Sequence, residues 1–119
     1  MRRLLAVCSV VREGLGLSGL TCRYDVKPNN GTDWASCFVP FFGWTVQITF
    51  YEEFFTLPLE QQLATVVHEH IHASMIPTLQ LMHQHEQGDR VRRADEITVD
   101  HLTGPLLKLL MPRISEVLS

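Results

Sequence analysis

The chain has little cysteine: three residues in 119, Cys8, Cys22 and Cys37, far apart and without any Cys-x-x-Cys pair. An odd, scattered set excludes a closed disulfide framework and a thiolate zinc site, and reads as buried thiols in a reducing, cytoplasmic compartment. Positive charge is also scarce. Ten lysines and arginines stand against thirteen aspartates and glutamates, a formal net charge of -3, which argues against broad electrostatic adhesion to nucleic acid. Arg90, Arg92 and Arg93 form one local basic cluster, read as a solvated helix start. No apolar run is long enough to cross a bilayer, so no membrane is expected as a partner. Arg2 and Arg3 ahead of the apolar residues 4–11 imitate a signal peptide, but Arg12 and Glu13 break the run, and it reads instead as an amphipathic helix.

What is present is enough apolar material for one core. Hydrophobic residues make up 45% of the chain, which suits a single α+β domain over residues 1–119, expected to be monomeric. Leu4, Leu5, Val7, Val10, Val11 and Leu15 share one wide helical face over residues 3–16, with Gly14, Gly16 and Gly19 ending it. Residues 20–26 read as a first strand. Lys27-Pro28-Asn29-Asn30-Gly31 is a dense turn signal, after which a hairpin or a longer reversal should follow. Residues 34–39, closed by Pro40, make a second strand. Residues 44–50 make a third, in which Val46, Ile48 and Phe50 alternate with Thr45, Gln47 and Thr49. Pro58 opens a helix carrying Leu59, Leu63, Val66 and Val67 on one stripe, and Pro77 is expected to stop it. After a connecting stretch over residues 77–90, with room for a helical turn around Leu79 to His83, a last helix starts near Arg92, with Ala94, Ile97, Leu102, Leu106, Leu109 and Leu110 on a broad apolar side and a kink or break at Gly104-Pro105.

The chemistry sits in Val67-His68-Glu69-His70-Ile71-His72-Ala73, a His-Glu-x-x-His pattern with an additional histidine inside it. On a helix, His68 and His72 lie one turn apart, so both imidazoles project from one face and can hold one tetrahedral zinc. Glu69 lies about 100° further round, where a general base takes a proton from water on the metal. His70 lies about 200° from the ligand face, which points it away from the metal and toward a structural role. A catalytic zinc needs a third protein ligand, and Glu96, Asp100, His101, His83 and His85 are the candidates. Glu96 and Asp100 are four apart, so they share a helical face on which one can ligate while the other accepts a hydrogen bond from a ligand imidazole.

At these residues the chain resembles the gluzincin metallopeptidases, in which a glutamate on a following helix completes the site and an aspartate one turn later braces a ligand histidine. The resemblance spans roughly residues 44–110. It is closest to small phage-type metallopeptidases, through Leu59-Glu60-Gln61-Gln62-Leu63 before the metal helix and Glu96-Ile97-Thr98-Val99-Asp100-His101-Leu102 on the last one. It extends to the peptidase domain of ImmA/IrrE-type regulators. It implies a minimal zincin with an N-terminal helix, a three-stranded sheet, a metal helix and a C-terminal ligand helix. It also implies Zn2+ held by His68, His72 and Glu96, with Glu69 as the base and Asp100 as the brace.

The metal helix is similar to that of SprT-like proteases as well, nucleic-acid-associated enzymes whose third ligand is a histidine further on. That alignment puts His85 on the metal, although Glu86-Gln87-Gly88 departs from the pattern that follows it there. His101, one residue past Asp100, is a candidate donor to a developing oxyanion, with Tyr51 and Tyr24 behind it. Trp34, Phe41, Phe42 and Trp44 suit a pocket wall or the core. The strand over residues 44–50 precedes the metal helix and suits an edge that pairs with an extended peptide. The function these residues lead to is hydrolysis of peptide bonds in a protein or peptide substrate. A zincin-fold regulatory or binding module without turnover is the alternative.

Overall fold

The computed structural model describes residues 2–38, 45–83 and 88–119, the side chains of 76–92 excepted. In chain order the elements are α1 (Arg2–Gly14), β1 (Thr21–Lys27), β2 (Ala35–Phe38), β3 (Thr45–Tyr51), a 3-10 turn (Glu52–Thr56), α2 (Leu59–His83) and α3 (Gly88–Leu118). This is a small α+β domain of three α-helices and a three-stranded mixed sheet, as the apolar periodicities require.

α1 ends in a capping motif set by two residues. Gly16, at φ +72°, takes the left-handed position. The Leu17 amide then reaches the Arg12 carbonyl at 2.9 Å and the Gly16 amide the Glu13 carbonyl at 3.0 Å, closing the last turn as a Schellman cap. At Gly14 the reason for glycine is different: any Cβ there would collide with the end of the Leu110 side chain, so its absence lets α1 lie close against α3.

The sheet order is β1-β3-β2, with β3 parallel to β1 and antiparallel to β2. This corrects one expectation and decides another. The third strand is the middle one, with both main-chain edges already paired, so it has no free edge for a peptide. The turn after β1 makes the longer reversal and not the hairpin: β2 runs opposite to β1 on the far side of the sheet, leaving a gap that β3 fills. The physical reason is burial: Val46, Ile48 and Phe50 are almost wholly removed from solvent, and the middle of a sheet shields them best. Thr49, on the opposite face, is buried too, and its hydroxyl donates to Asp25 at 2.6 Å.

Both prolines expected to interrupt helices are accommodated. α2 continues through Pro77 to His83, and α3 runs unbroken through Gly104 and Pro105. A proline deletes one interior hydrogen bond, and around Pro105 the packing of Val99, Leu106, Leu110 and Ile114 outweighs that loss. The connecting stretch expected over residues 77–90 is mostly helix. Phe41, Phe42 and Trp44, and the side chains of His83, His85, Arg90 and Arg92, lie outside the described residues.

α3 packs on α1 and α2 through Val99, Leu106, Leu110 and Ile114, in register with Asp95 and Thr103. The broad apolar side read from the sequence is largely turned outward: Ile97, Leu102 and Leu109 are exposed, and Leu59 at the start of α2 is too. This helix carries apolar residues all round, so periodicity alone does not choose its buried face. The register makes a testable contrast. Ile114→Ala should cost about 2–5 kcal/mol, while Leu109→Ala should stay within about 0.5 kcal/mol of wild type. Urea unfolding of the two variants reads the difference. No helix among the described residues is long and apolar enough to cross a membrane.

Candidate metal centre

Two helices build the site. α2 runs against the inner sheet face through Leu63, Val66, Val67, Ile71 and Ala73, all buried, which turns His68 and His72 toward α3. There His68 Nε2 and His72 Nε2 stand 3.1 Å apart. α3 brings Glu96 to them, with carboxylate oxygens 3.2 Å from His72 Nε2 and 3.8 Å from His68 Nε2. One donor atom from each of the three residues lies within 4.8 Å of the others, a group able to hold a metal ion. A tetrahedron with ordinary zinc–nitrogen bonds has an edge of roughly 3.3 Å, so the donors present fit such an ion in type and spacing.

The histidines are prepared for ligation. His72 Nδ1 is 2.7 Å from Asp95 Oδ2, which places the ring proton on Nδ1 and leaves the Nε2 lone pair facing the other donors. Burial, and then the neighbouring His72, lower the pKa of His68, favouring the neutral ring a metal requires.

Asp95 was not among the residues singled out in the sequence. It is buried, and its Oδ1 has no hydrogen-bond partner among the described residues. The signal for it was its register, since Asp95 falls on the stripe of Val99, Leu106, Leu110 and Ile114, and an acid in a buried stripe needs a partner. Asp100, expected as the brace, stands 3.6 Å from His68 Nδ1 with its side chain 70% exposed. That separation exceeds a hydrogen bond, so of the two aspartates it is Asp95 that hydrogen-bonds one of the grouped histidines.

Glu69 is buried beside the group and lines a cleft of about 660 Å³ together with His68 and Asp100. Burial, followed by the charges of Glu96, Asp33 and Asp95, pushes its pKa up to about 8. In this state Glu69 holds its proton at neutral pH, and a cation held by the neighbouring donors would favour the ionised form that a general base requires. The far wall of the cleft is Thr32, Asp33, Trp34 and Ala35, at the start of β2. β2, not β3, is therefore the edge strand beside the site.

The remaining candidates fall elsewhere. His70 is fully buried on the core side of α2. Its Nδ1–H donates to the Val66 carbonyl at 2.7 Å, so its Nε2 accepts from the Tyr24 hydroxyl at 2.8 Å. Burial lowers its pKa to about 4, so it is a neutral structural group. Tyr24 is thereby engaged, and the Tyr51 hydroxyl pairs with Ser36 at 3.1 Å. Neither tyrosine is among the residues that line the cleft. His101 is exposed on α3 and is not among the residues that line the cleft. Cys8, Cys22 and Cys37 are free thiols, Cys8 fully buried with its pKa pushed up to about 12 by that burial. Tyr24→Phe leaves His70 Nε2 buried without a donor, and should cost about 1–3 kcal/mol in urea unfolding while leaving metal content unchanged.

Comparison with known proteins adds nothing to this geometry: no family model matches the chain, and no curated protein and no solved structure matches it.

Proposed function

We propose that this chain is a zinc-dependent metallopeptidase acting on a protein or peptide. The observation that carries the reading is the convergence of His68, His72 and Glu96 from two helices, with the buried Glu69 next to them in sequence and at the cleft. The resemblance to gluzincin metallopeptidases supports the same ligand set. Zinc, when bound, supplies a Lewis acid that polarises a peptide carbonyl and acidifies water.

The protein side of the mechanism follows from the residues. Glu69 accepts a proton from the attacking water and returns it to the leaving amide nitrogen as the C–N bond breaks. Asp95 keeps His72 in the tautomer that ligates. The edge of β2 that no described strand pairs, beside the cleft, takes an extended peptide through main-chain hydrogen bonds, the role first expected of the middle strand.

The test is hydrolysis of an unfolded protein such as casein by zinc-loaded protein, abolished by a chelator, restored by zinc and lost in Glu69→Gln. Hydrolysis that persists in Glu69→Gln would sink the proposal. The brace makes a separate prediction, read by competition with a zinc indicator. Removing a carboxylate hydrogen-bonded to a ligand histidine costs about 10- to 100-fold in affinity, and this is expected of Asp95→Ala. Asp100→Ala should change affinity less than about threefold, since its separation from His68 exceeds a hydrogen bond. Glu96→Ala should lose more than either.

A further inference from the structure

The cleft walls carry a chemical preference. Apart from His68, the ionisable residues lining it are Asp33, Glu69 and Asp100, and no lysine or arginine is among its described lining residues. Glu96 and Asp95 add further negative charge close by, near enough to act on Glu69. Even a divalent ion leaves the cleft negative. Trp34, on the wall opposite the metal helix, is 42% exposed, whereas Phe50 and Phe54 are fully buried in the core.

These walls are built before any ligand arrives. The Trp34 carbonyl accepts the Tyr51 amide at 2.9 Å. Asn30 Oδ1 accepts the Thr32 and Asp33 amides at 3.0 and 2.9 Å. Asp33 Oδ2 accepts from Asn30 and Thr32, and its Oδ1 makes no hydrogen bond to a described residue. An independent observation calls for a ligand here: Glu69 is 7% exposed and lines the cleft without a hydrogen bond to any described residue. Its carboxyl group opens only on the cleft, where a polar group of a ligand completes its hydrogen bonding.

We propose that the cleft is a subsite for a basic side chain, lysine or arginine, of an extended peptide, stacked on Trp34 and paired with Asp33 and Asp100. The inference rests on the metallopeptidase reading, whose substrate class it narrows from any peptide to a cationic one. The cation lies over the indole face, where the ring quadrupole attracts it. The two aspartates supply ion pairs that salt screens, because both are exposed. The peptide main chain then runs along β2 and past Glu69.

The experiment titrates end-blocked hexapeptides of glycine and alanine, with a central arginine, glutamine or glutamate, into Glu69→Gln protein, with and without zinc. That substitution prevents turnover and leaves Trp34, Asp33 and Asp100 in place. At low salt the arginine peptide should bind roughly tenfold more tightly than the glutamine peptide, as one cation–π contact and one or two exposed ion pairs imply. The preference should fall below about threefold when Asp33→Asn and Trp34→Ala are added. It should persist in Glu116→Gln, an equal change of charge away from the cleft. Equal affinities, a preference for the glutamate peptide, or no saturable binding of any of the three overturns the subsite. Zinc uptake and casein hydrolysis report on the enzyme reading separately. A protein that binds zinc and cleaves casein without preferring arginine loses only the subsite, and one that prefers arginine without binding zinc loses only the enzyme.

Discussion

His68→Ala or His72→Ala should reduce zinc from close to one ion per chain to a trace. His70→Ala should keep it. Each of the first two changes removes one of three donors and leaves a carboxylate and a single imidazole, a set that no longer fixes a tetrahedral ion. Since metal affinity in such sites is the sum of few strong bonds, the expected loss is on the order of a thousandfold or more. His72→Ala carries a second cost, because Asp95 then keeps a buried carboxylate with neither oxygen paired among the described residues. That variant should therefore be the less stable of the two when both are measured without metal. His70 makes the control: it sits on the same helix between the ligands, but its ring nitrogens face Val66 and Tyr24. Elemental analysis of the purified variants decides the matter. Zinc retained in His72→Ala and lost in His70→Ala would reverse the assignment of helix faces.

The second large effect belongs to Glu69. Glu69→Gln keeps the shape of the side chain and removes its ability to take a proton, so casein hydrolysis should fall by at least about a hundredfold. Zinc content should not change, because Glu69 is not one of the three grouped donors. Stability should hold or rise. The carboxylate is buried among Glu96, Asp33 and Asp95, whose charges oppose its own, and an amide carries no charge to repel. Loss of activity with zinc and fold intact is the signature of a base. Loss of zinc together with activity would make Glu69 part of the metal group instead.

How much of this was legible before folding depends on how local each relation is. The spacing of His68 and His72 already puts them on one face, since four residues make about one helical turn whatever surrounds the helix. The same arithmetic turned His70 away, and the core received it. The alternation of Val46, Ile48 and Phe50 named the buried face of β3, since a strand's side chains alternate by geometry alone. Element order, the three helices and the three strands were likewise within reach of apolar periodicity and turn chemistry.

Relations between elements were not. Five residues stood as candidates for the third ligand, and it is the packing of α3 on α2 that carries Glu96 to the histidines and leaves Asp100 at 3.6 Å. Asp95 was hidden because a helix with apolar residues on every side has no single periodic stripe, and its buried face is chosen by what it packs against. Strand order was hidden as well, because β1, β2 and β3 in sequence say nothing of which lies in the middle. Among the described strands the edge beside the cleft is β2 and not the strand before α2, and Trp34 and Asp33 come to the cleft with it. The sequence by itself determined what one helix or one strand presents along its own axis, because that follows from the fixed rise and turn of the backbone. Which faces meet, and so which carboxylate reaches His72 and which strand walls the cleft, only the tertiary structure decided, because burial is a property of the whole chain packed at once.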